Sequence, residues 1–362
     1  MAKYETEQSM PPADTLANAD VAKNAEIVVS CYDNWDYPKY GQTLVLRDIL
    51  RRSTPGGSGV WDGVAFTRGE FGQPDWHLIL NSIHWNKKRV KFQGRPNRTM
   101  FAIGEPPTEI HRPWHEAQVD GSIVLTCDES LSGNPPARRH YITQPPCMGS
   151  WSVQKSYDEL KSQSPIEKSR NLSWVCSDEA ILEGHNYRLD FLNKLKAEIE
   201  FDHFGRGFYP VDDKWGALAP YRYSIAFENS CYDYYFSEKL FDCYVAETMP
   251  IYYGSKIITQ FVPAESLIIL DPEDPDAPRI IEDISKSGIW KKNRDAVLEA
   301  KRLVLDEYNM FARIAKFMKN FDEPAMPLQN IIINQKKLEY SKPRPRFRLP
   351  YFSRNSDINS ID

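Results

Sequence analysis

Tyr223-Ser-Ile-Ala-Phe-Glu-Asn-Ser230, followed by Ser237-Glu-Lys-Leu-Phe-Asp-Cys-Tyr-Val-Ala246, decides how this chain is read. The first five residues form a short apolar run with the character of a buried strand. Leu240 to Ala246 has the character of a helix. Between them, residues 227–239 hold three carboxylates, one amide, three tyrosines (Tyr232, Tyr234, Tyr235), two serines and one lysine. A polar cluster between a buried strand and a helix start is where α/β proteins hold charged ligands. Glu238 and Lys239 fall in the helix's first turn. Amides there favour an anion, and Lys239 adds a mobile cation suited to phosphate.

The strand-then-helix pattern repeats in both directions. Upstream, Ile27–Cys31, Trp76–Leu80, Thr99–Ile103 and Ser122–Thr126 read as strands, and residues 43–52 read as a helix. Gly56-Gly-Ser-Gly59 marks a loop. Residues 130–170 lose the periodic pattern, which places a connection near 150–170. The pattern resumes with strands at Leu172–Cys176, Ile199–Phe204, Met249–Tyr253 and Ser266–Leu270, and with helices at Tyr187–Ile199 and from about Asn293 to Lys319. Alternating βα units predict parallel sheets covered on both faces. Two Rossmann-like halves facing a cleft are the simplest arrangement, with ligands at the carboxyl ends of the strands. The expected division is a lead-in over 1–24, a first unit over 25–160, a second unit over 161–325 and a tail over 326–362.

The chain has 362 residues, too many for one ordinary core. Its net charge of -5 gives no global field that favours nucleic acid. No window approaches the roughly 18 consecutive apolar residues of a membrane span. Residues 1–24 lack a basic-then-apolar layout, so a signal peptide is not expected. The six cysteines include no CxxC pair and are expected to be free thiols. In the tail, Lys336, Lys337, Lys342, Arg344, Arg346, Arg348 and Arg354 alternate with aromatic and apolar residues. The tail is either without regular structure or an attachment to an anionic membrane face. The expected location is the cytoplasm, with peripheral contact at the inner membrane face under the second reading.

Phe227-Glu-Asn-Ser230, Tyr235-Phe-Ser-Glu-Lys239 and Met249-Pro-Ile-Tyr-Tyr-Gly254, with Phe261-Val-Pro-Ala-Glu-Ser266 beyond, resemble the signature of glycosyltransferase family 10, the α-1,3/1,4-fucosyltransferases. Weaker similarity takes in Trp35, Gly104-Glu105, Trp174-Val-Cys-Ser177 and Arg188. The resemblance implies a GT-B fold, with the acceptor mainly on the first unit and the donor mainly on the second. It implies inverting transfer of L-fucose from GDP-fucose to an acceptor sugar, usually N-acetylglucosamine or glucose. Ser237 stands where the family usually has Thr, Tyr234 where many members have Asp, and Asp178 where Asn is frequent. The same fold with a different nucleotide-sugar donor therefore stays open, as does a non-catalytic glycan-binding protein.

An inverting transferase needs a general base and a means of stabilising a departing diphosphate. Glu105 follows the apolar run 100–103, so it sits at a strand's carboxyl end, and it matches the Gly-Glu that resembles the family's base. Arg188 resembles the family arginine that contacts the donor phosphates, and its guanidinium fork suits a diphosphate. With Lys239 as a second cation, neither a metal nor another cofactor is required. Glu238 suits ribose or fucose hydroxyls. Asn229 and Tyr235 are further candidate donor contacts. Glu228 is either a ligand contact or a buried structural ion. Ser237 reads as a helix N-cap. Gly205 could let a phosphate or base approach the backbone. Asp274-Pro-Asp276 invites a metal reading but lies in a Pro-rich acidic turn, and the histidines are expected at the surface or the cleft rather than on a metal.

Overall fold

A computed structural model describes residues 22–34, 46–68, 72–83, 87–116, 118–132, 140–143, 151–163 and 165–335. Most of the lead-in, Trp35 and the basic residues of the tail lie outside these.

The first unit is built on a seven-stranded sheet. Its strands are β1 (Ile27–Asp33), β2 (Val60–Trp61), β3 (Val64–Arg68), β4 (Trp76–Leu80), β6 (Thr99–Ala102), β7 (Ile123–Thr126) and β8 (His140–Thr143). They lie in the order β2-β3-β1-β4-β6-β7-β8. Every neighbouring pair is parallel except β2–β3. β4 is buried at all five positions, and so are β6 and β7 throughout their lengths. This is the expected consequence of covering a parallel sheet on both faces. A separate strand, β5 (Arg89–Gly94), pairs antiparallel with β14 (Gln329–Asn334) near the end of the described chain.

The second unit is a five-stranded, wholly parallel sheet. It contains β9 (Arg170–Val175), β10 (Asp202–Phe204), β11 (Tyr221–Phe227), β12 (Met249–Tyr253) and β13 (Ile268–Ile269), in the order β10-β9-β11-β12-β13. β11, the strand of the opening motif, is central and buried except at Arg222. Its Ile225 registers with Trp174 on one side and Ile251 on the other. Two Rossmann-like units of this kind make the GT-B arrangement.

Several boundaries differ from those the sequence suggested. Trp151, Val153 and Leu160 already belong to the second unit's core, so that unit begins well before residue 161. The helix expected from Asn293 to Lys319 is two helices, Arg294–Asp306 and Met310–Lys319. Asn309 breaks it: its backbone is non-helical, its side chain accepts from the Phe311 amide at 3.0 Å, and its amide donates to the Ser53 carbonyl at 2.8 Å. The second helix buries Met310, Phe311, Ile314 and Met318 against the first unit's strands. Each such burial is worth about 1.5–3 kcal/mol, more than continuing one helix for a few residues. Strand β14 then lies inside the region assigned to the tail, with Ile331 and Ile333 packed beside Phe92 and Phe101. The chain therefore crosses back to the first unit after completing the second. Strands β2, β3, β5 and β8 have no counterpart among the expected ones; β2 is only two residues long, and β5 interleaves charged and polar residues with its apolar ones.

Candidate functional site

The second unit contributes a site built around the loop between β11 and the helix Glu238–Val245. Glu228, at the end of β11, is 1% exposed. Its amide donates to the Tyr253 carbonyl at 2.8 Å, which ties the loop to β12. Its carboxylate accepts from the Ser237 amide at 2.8 Å and the Ser237 hydroxyl at 2.7 Å. Burial pushes its pKa up, and Lys239 and the Ser237 donors oppose that shift. Ser237 has extended backbone, and its hydroxyl accepts from the Lys239 amide at 3.3 Å, so it is the N-cap of the helix. The Glu228 carboxylate is thus buried and bonded to Ser237, and it fixes the residue from which the helix starts.

Lys239 lies in the first turn, with its Nζ 3.2 Å from the Ser237 hydroxyl, 3.2 Å from Glu238 Oε1 and 3.6 Å from Glu228 Oε2. Burial would lower its pKa, but Glu238 and Glu228 hold it above the ordinary lysine value. Burial works the opposite way on Glu238, yet Lys239 and Lys214 pull its pKa down to about 2. Both groups are charged at neutral pH. Lys214 had no place in the sequence reading. Its Nζ sits 2.9 Å from buried Asp242 and 3.9 Å from Glu238. A single lysine in a polar loop gives no signal of that placement.

Arg188 stands in the second turn of the helix Glu183–Glu198, not at its start as expected. It is 4% exposed, donating to Asn229 Oδ1 at 2.8 Å and to the Ser177 carbonyl at 3.1 Å. Its Nε is buried and has no hydrogen-bond partner among the described residues. Such a donor costs about 1–3 kcal/mol when left unmade, so it is available to an incoming acceptor. The Asn229 loop reaches the helix start because residue 184 is glycine: a Cβ there would stand 1.7 Å from the Asn229 carbonyl oxygen. Gly205, at φ +140°, makes a similar approach to the Cys176 carbonyl, where a Cβ would lie 2.0 Å away. Its close contact is thus with the end of β9. His185 accepts the Ile181 and Leu182 amides on Nδ1, and burial, with Arg188 and Lys239 nearby, lowers its pKa to about 3. It is a neutral cap of the Arg188 helix that sequence reasoning left among the undifferentiated histidines.

The first unit contributes Glu105, three residues past β6. The Gly104 amide donates to Asn81 Oδ1 at 2.8 Å, and the Glu105 carbonyl accepts from His115 Nε2 at 3.1 Å. Burial first, and then the Glu238 carboxylate, raise the Glu105 pKa to about 7, with Lys239 pulling the other way and Glu179 adding to the rise. These neighbours belong to the other unit. Glu105 and the start of the helix Glu238–Val245 are therefore near enough for their charges to act on one another. Tyr235 is buried beside the same groups: burial raises its pKa first, then Glu228, Glu105 and Glu238. Glu105, Tyr235, Glu238 and Lys239 are thus brought together, with Arg188 and Asn229 joined to each other on the same side.

Asp274 and Asp276 form a turn. Asp274 Oδ1 accepts from the Asp276 amide at 2.8 Å, and Asp276 pairs with Arg279 at 3.4 Å. Among the described residues, no group of three or more histidine, cysteine or acidic side chains is placed to hold a metal, and five cysteines are free. No helix of the described residues is long and apolar enough to cross a membrane.

Residues 165–275 match the family model for glycosyltransferase family 10 (fucosyltransferase), C-terminal part. The matched stretch lies within the second unit and contains the loop between β11 and the helix Glu238–Val245. A putative fucosyltransferase-like protein of Arabidopsis thaliana is 32% identical over 113 residues, 30% of this chain and 22% of that protein. The GDP-fucose protein O-fucosyltransferase 3 of Danio rerio is 28% identical over 100 residues, 24% of this chain and 22% of that protein. The match thus spans about a fifth of either relative. A crystal structure of an alpha1,3-fucosyltransferase with GDP-fucose aligns at a TM-score of 0.44 and 16% identity, covering 85% of this chain and 97% of that one.

Proposed function

We propose that this protein is an inverting fucosyltransferase, moving L-fucose from GDP-fucose to a hydroxyl of an acceptor glycan. N-acetylglucosamine or glucose is the acceptor unit and α-1,3 the linkage. The observation that carries the reading is the proximity of Glu105 to Glu238 and Lys239 of the other unit, near enough for their charges to act on it, with its pKa raised to about 7. A carboxylate tuned near neutrality is suited to take a proton from an attacking hydroxyl. Burial and the facing Glu238 supply that tuning.

In this scheme the acceptor hydroxyl attacks the anomeric carbon of fucose and loses its proton to Glu105. The bond to GDP breaks, and the diphosphate leaves with the bonding electron pair. Arg188, through its unpartnered Nε–H, and Lys239 stabilise the growing negative charge, so no metal enters the scheme. Glu238, ionised and held by two lysines, accepts hydroxyl donors from the ribose or the fucose. Asn229 fixes the Arg188 fork. A cytoplasmic site of action, with the basic tail meeting an anionic membrane face, belongs to the same proposal.

The test is Glu105→Gln. The variant is expected to bind GDP-fucose with unchanged affinity by calorimetry and to lose transfer by about 10²–10⁴-fold. Transfer at the wild-type rate would remove Glu105 from the mechanism. A panel of nucleotide-sugars run beside it checks the donor, since turnover of a donor other than GDP-fucose alone would reject the fucose assignment.

A further inference from the structure

From the two contacts of its buried ring we infer that His115 is a positioning residue for Glu105, aiming the carboxylate by holding the main-chain carbonyl of the same residue. The inference rests on the reading of Glu105 as the base.

His115 ends the short helix Arg112–His115 and is 0% exposed. Its Nδ1 lies 2.6 Å from Thr126 Oγ1, and its Nε2 lies 3.1 Å from the Glu105 carbonyl oxygen. The tautomer follows from the partners. A carbonyl oxygen only accepts, so Nε2 carries the hydrogen. Thr126 Oγ1 already accepts from the Asp128 amide at 2.9 Å, so its own proton is free to go to Nδ1. The chain Asp128 N–H, Thr126 O–H, His115 Nε2–H, Glu105 carbonyl then runs in one direction with each donor used. Burial lowers the His115 pKa to about 4, which keeps the ring neutral and the chain intact at physiological pH.

The receiving residue is stiff. Pro106 follows Glu105 and restricts it to extended conformations. One peptide further back, the Gly104 amide donates to Asn81 Oδ1. Fixing the Glu105 carbonyl removes the remaining freedom of the peptide plane and so sets where the side chain leaves the backbone. Thr126 closes β7, beside β6 in the sheet, so the orientation of the base is referred to the sheet itself rather than to a loop.

A pair of isosteric variants separates this role from packing. In His115→Gln the side-chain amide reaches about as far as Nε2 and can donate to the Glu105 carbonyl. In His115→Asn it reaches only as far as Nδ1. Both remove the ring. The readout is GDP release from GDP-fucose with water as acceptor, normalised to the fraction of protein that binds GDP. His115→Asn is expected to lose kcat by about 10- to 100-fold with KM for GDP-fucose within about two-fold, because a misaimed base affects only the reacting geometry. His115→Gln is expected to recover most of that loss. Equal kcat in the two variants, whether both normal or both impaired, overturns the inference. Glu105→Gln run alongside shows which idea has failed. If it is inactive, equal His115 variants remove the positioning role alone, and if it is fully active the assignment of the base falls with it.

Discussion

Glu105 and Glu238 come from different units and act on each other electrostatically, and their surroundings drive their pKa values apart, to about 7 and about 2. Burial acts on both in the same upward direction. The difference comes from cations: Glu238 has Lys239 at 3.2 Å and Lys214 at 3.9 Å, while Glu105 feels Lys239 only as a secondary influence. Carboxylates separated in this way divide the work of a site, one staying ionised and the other free to exchange a proton.

The pH dependence follows from that division. Base catalysis requires ionised Glu105, so kcat/KM is expected to rise with pH, bend at about 7 and level off above it. Neighbours move the bend in opposite directions. Lys239→Met removes a positive charge that lowers the Glu105 pKa, so the bend moves to higher pH. Glu238→Gln removes a negative charge that raises it, so the bend moves lower. Profiles for the three proteins, measured with saturating acceptor, check the signs, and a bend that ignores both substitutions would mean another group is titrating.

Glu105 also makes a prediction about stability. Its folded pKa lies above the ordinary carboxylate value, so the folded protein holds a proton that the unfolded chain has released between about pH 4.5 and 7. The folded state is therefore favoured at low pH and loses that advantage as pH rises through about 7. Glu105→Gln should leave thermal stability nearly unchanged near pH 4 and raise it at pH 8, by roughly 1–3 kcal/mol. Melting curves at the two pH values decide it. A variant less stable than wild type at pH 8 would show that the carboxylate is stabilised in place rather than strained.

Much of this was legible in the chain. The run Tyr223–Phe227 identified the central strand because a strand buried on both faces is continuously apolar, and Ser237 identified the helix start because a hydroxyl before a helix is a cap. The family 10 region was readable from the same residues, and residues 165–275 match its model. What stayed hidden depends on contacts between distant segments. Lys214 reaches the site from the polar loop after β10, and Met310–Lys319 returns to the first unit although its periodicity continues that of the preceding helix. Periodicity reports which face of a helix is apolar and not which sheet it covers. His115 was equally silent, since a histidine's role is set by two partners that only folding brings to its two nitrogens.

Glu228 and Lys239 touch each other but are expected to fail differently when removed. Glu228→Ala leaves the Ser237 amide without its acceptor and takes a buried carboxylate from beside Lys239, so it should cost about 2–4 kcal/mol of stability and weaken GDP binding together. Lys239→Ala keeps the Ser237–Glu228 bonds and should lower GDP affinity with a smaller loss of stability. Chemical denaturation paired with GDP titration distinguishes the two. Equal losses of stability would place Lys239, and not Ser237, at the centre of what Glu228 supports.

Lys214 and Asp242 offer a test of how the start of the second unit is attached to its site. Asp242 is 1% exposed on the helix Glu238–Val245, and it accepts from the Ser152 amide, the Ser152 hydroxyl at 3.0 Å and Lys214 at 2.9 Å. Lys214 also donates to the Ser152 hydroxyl at 3.1 Å. Residues 151–153 are thereby bolted to the helix that carries Glu238 and Lys239. Lys214→Met leaves Asp242 charged and buried with neutral donors only, and Asp242→Asn leaves Lys214 with the more distant Glu238. Each should destabilise the protein by about 2–4 kcal/mol, while the double variant should fall short of the sum by about 1–3 kcal/mol. Additivity to within about 0.5 kcal/mol would mean that the two side chains act independently. Because Lys214 also holds the Glu238 pKa down, Lys214→Met should weaken GDP-fucose binding as pH falls toward 4, where Glu238 begins to take up a proton.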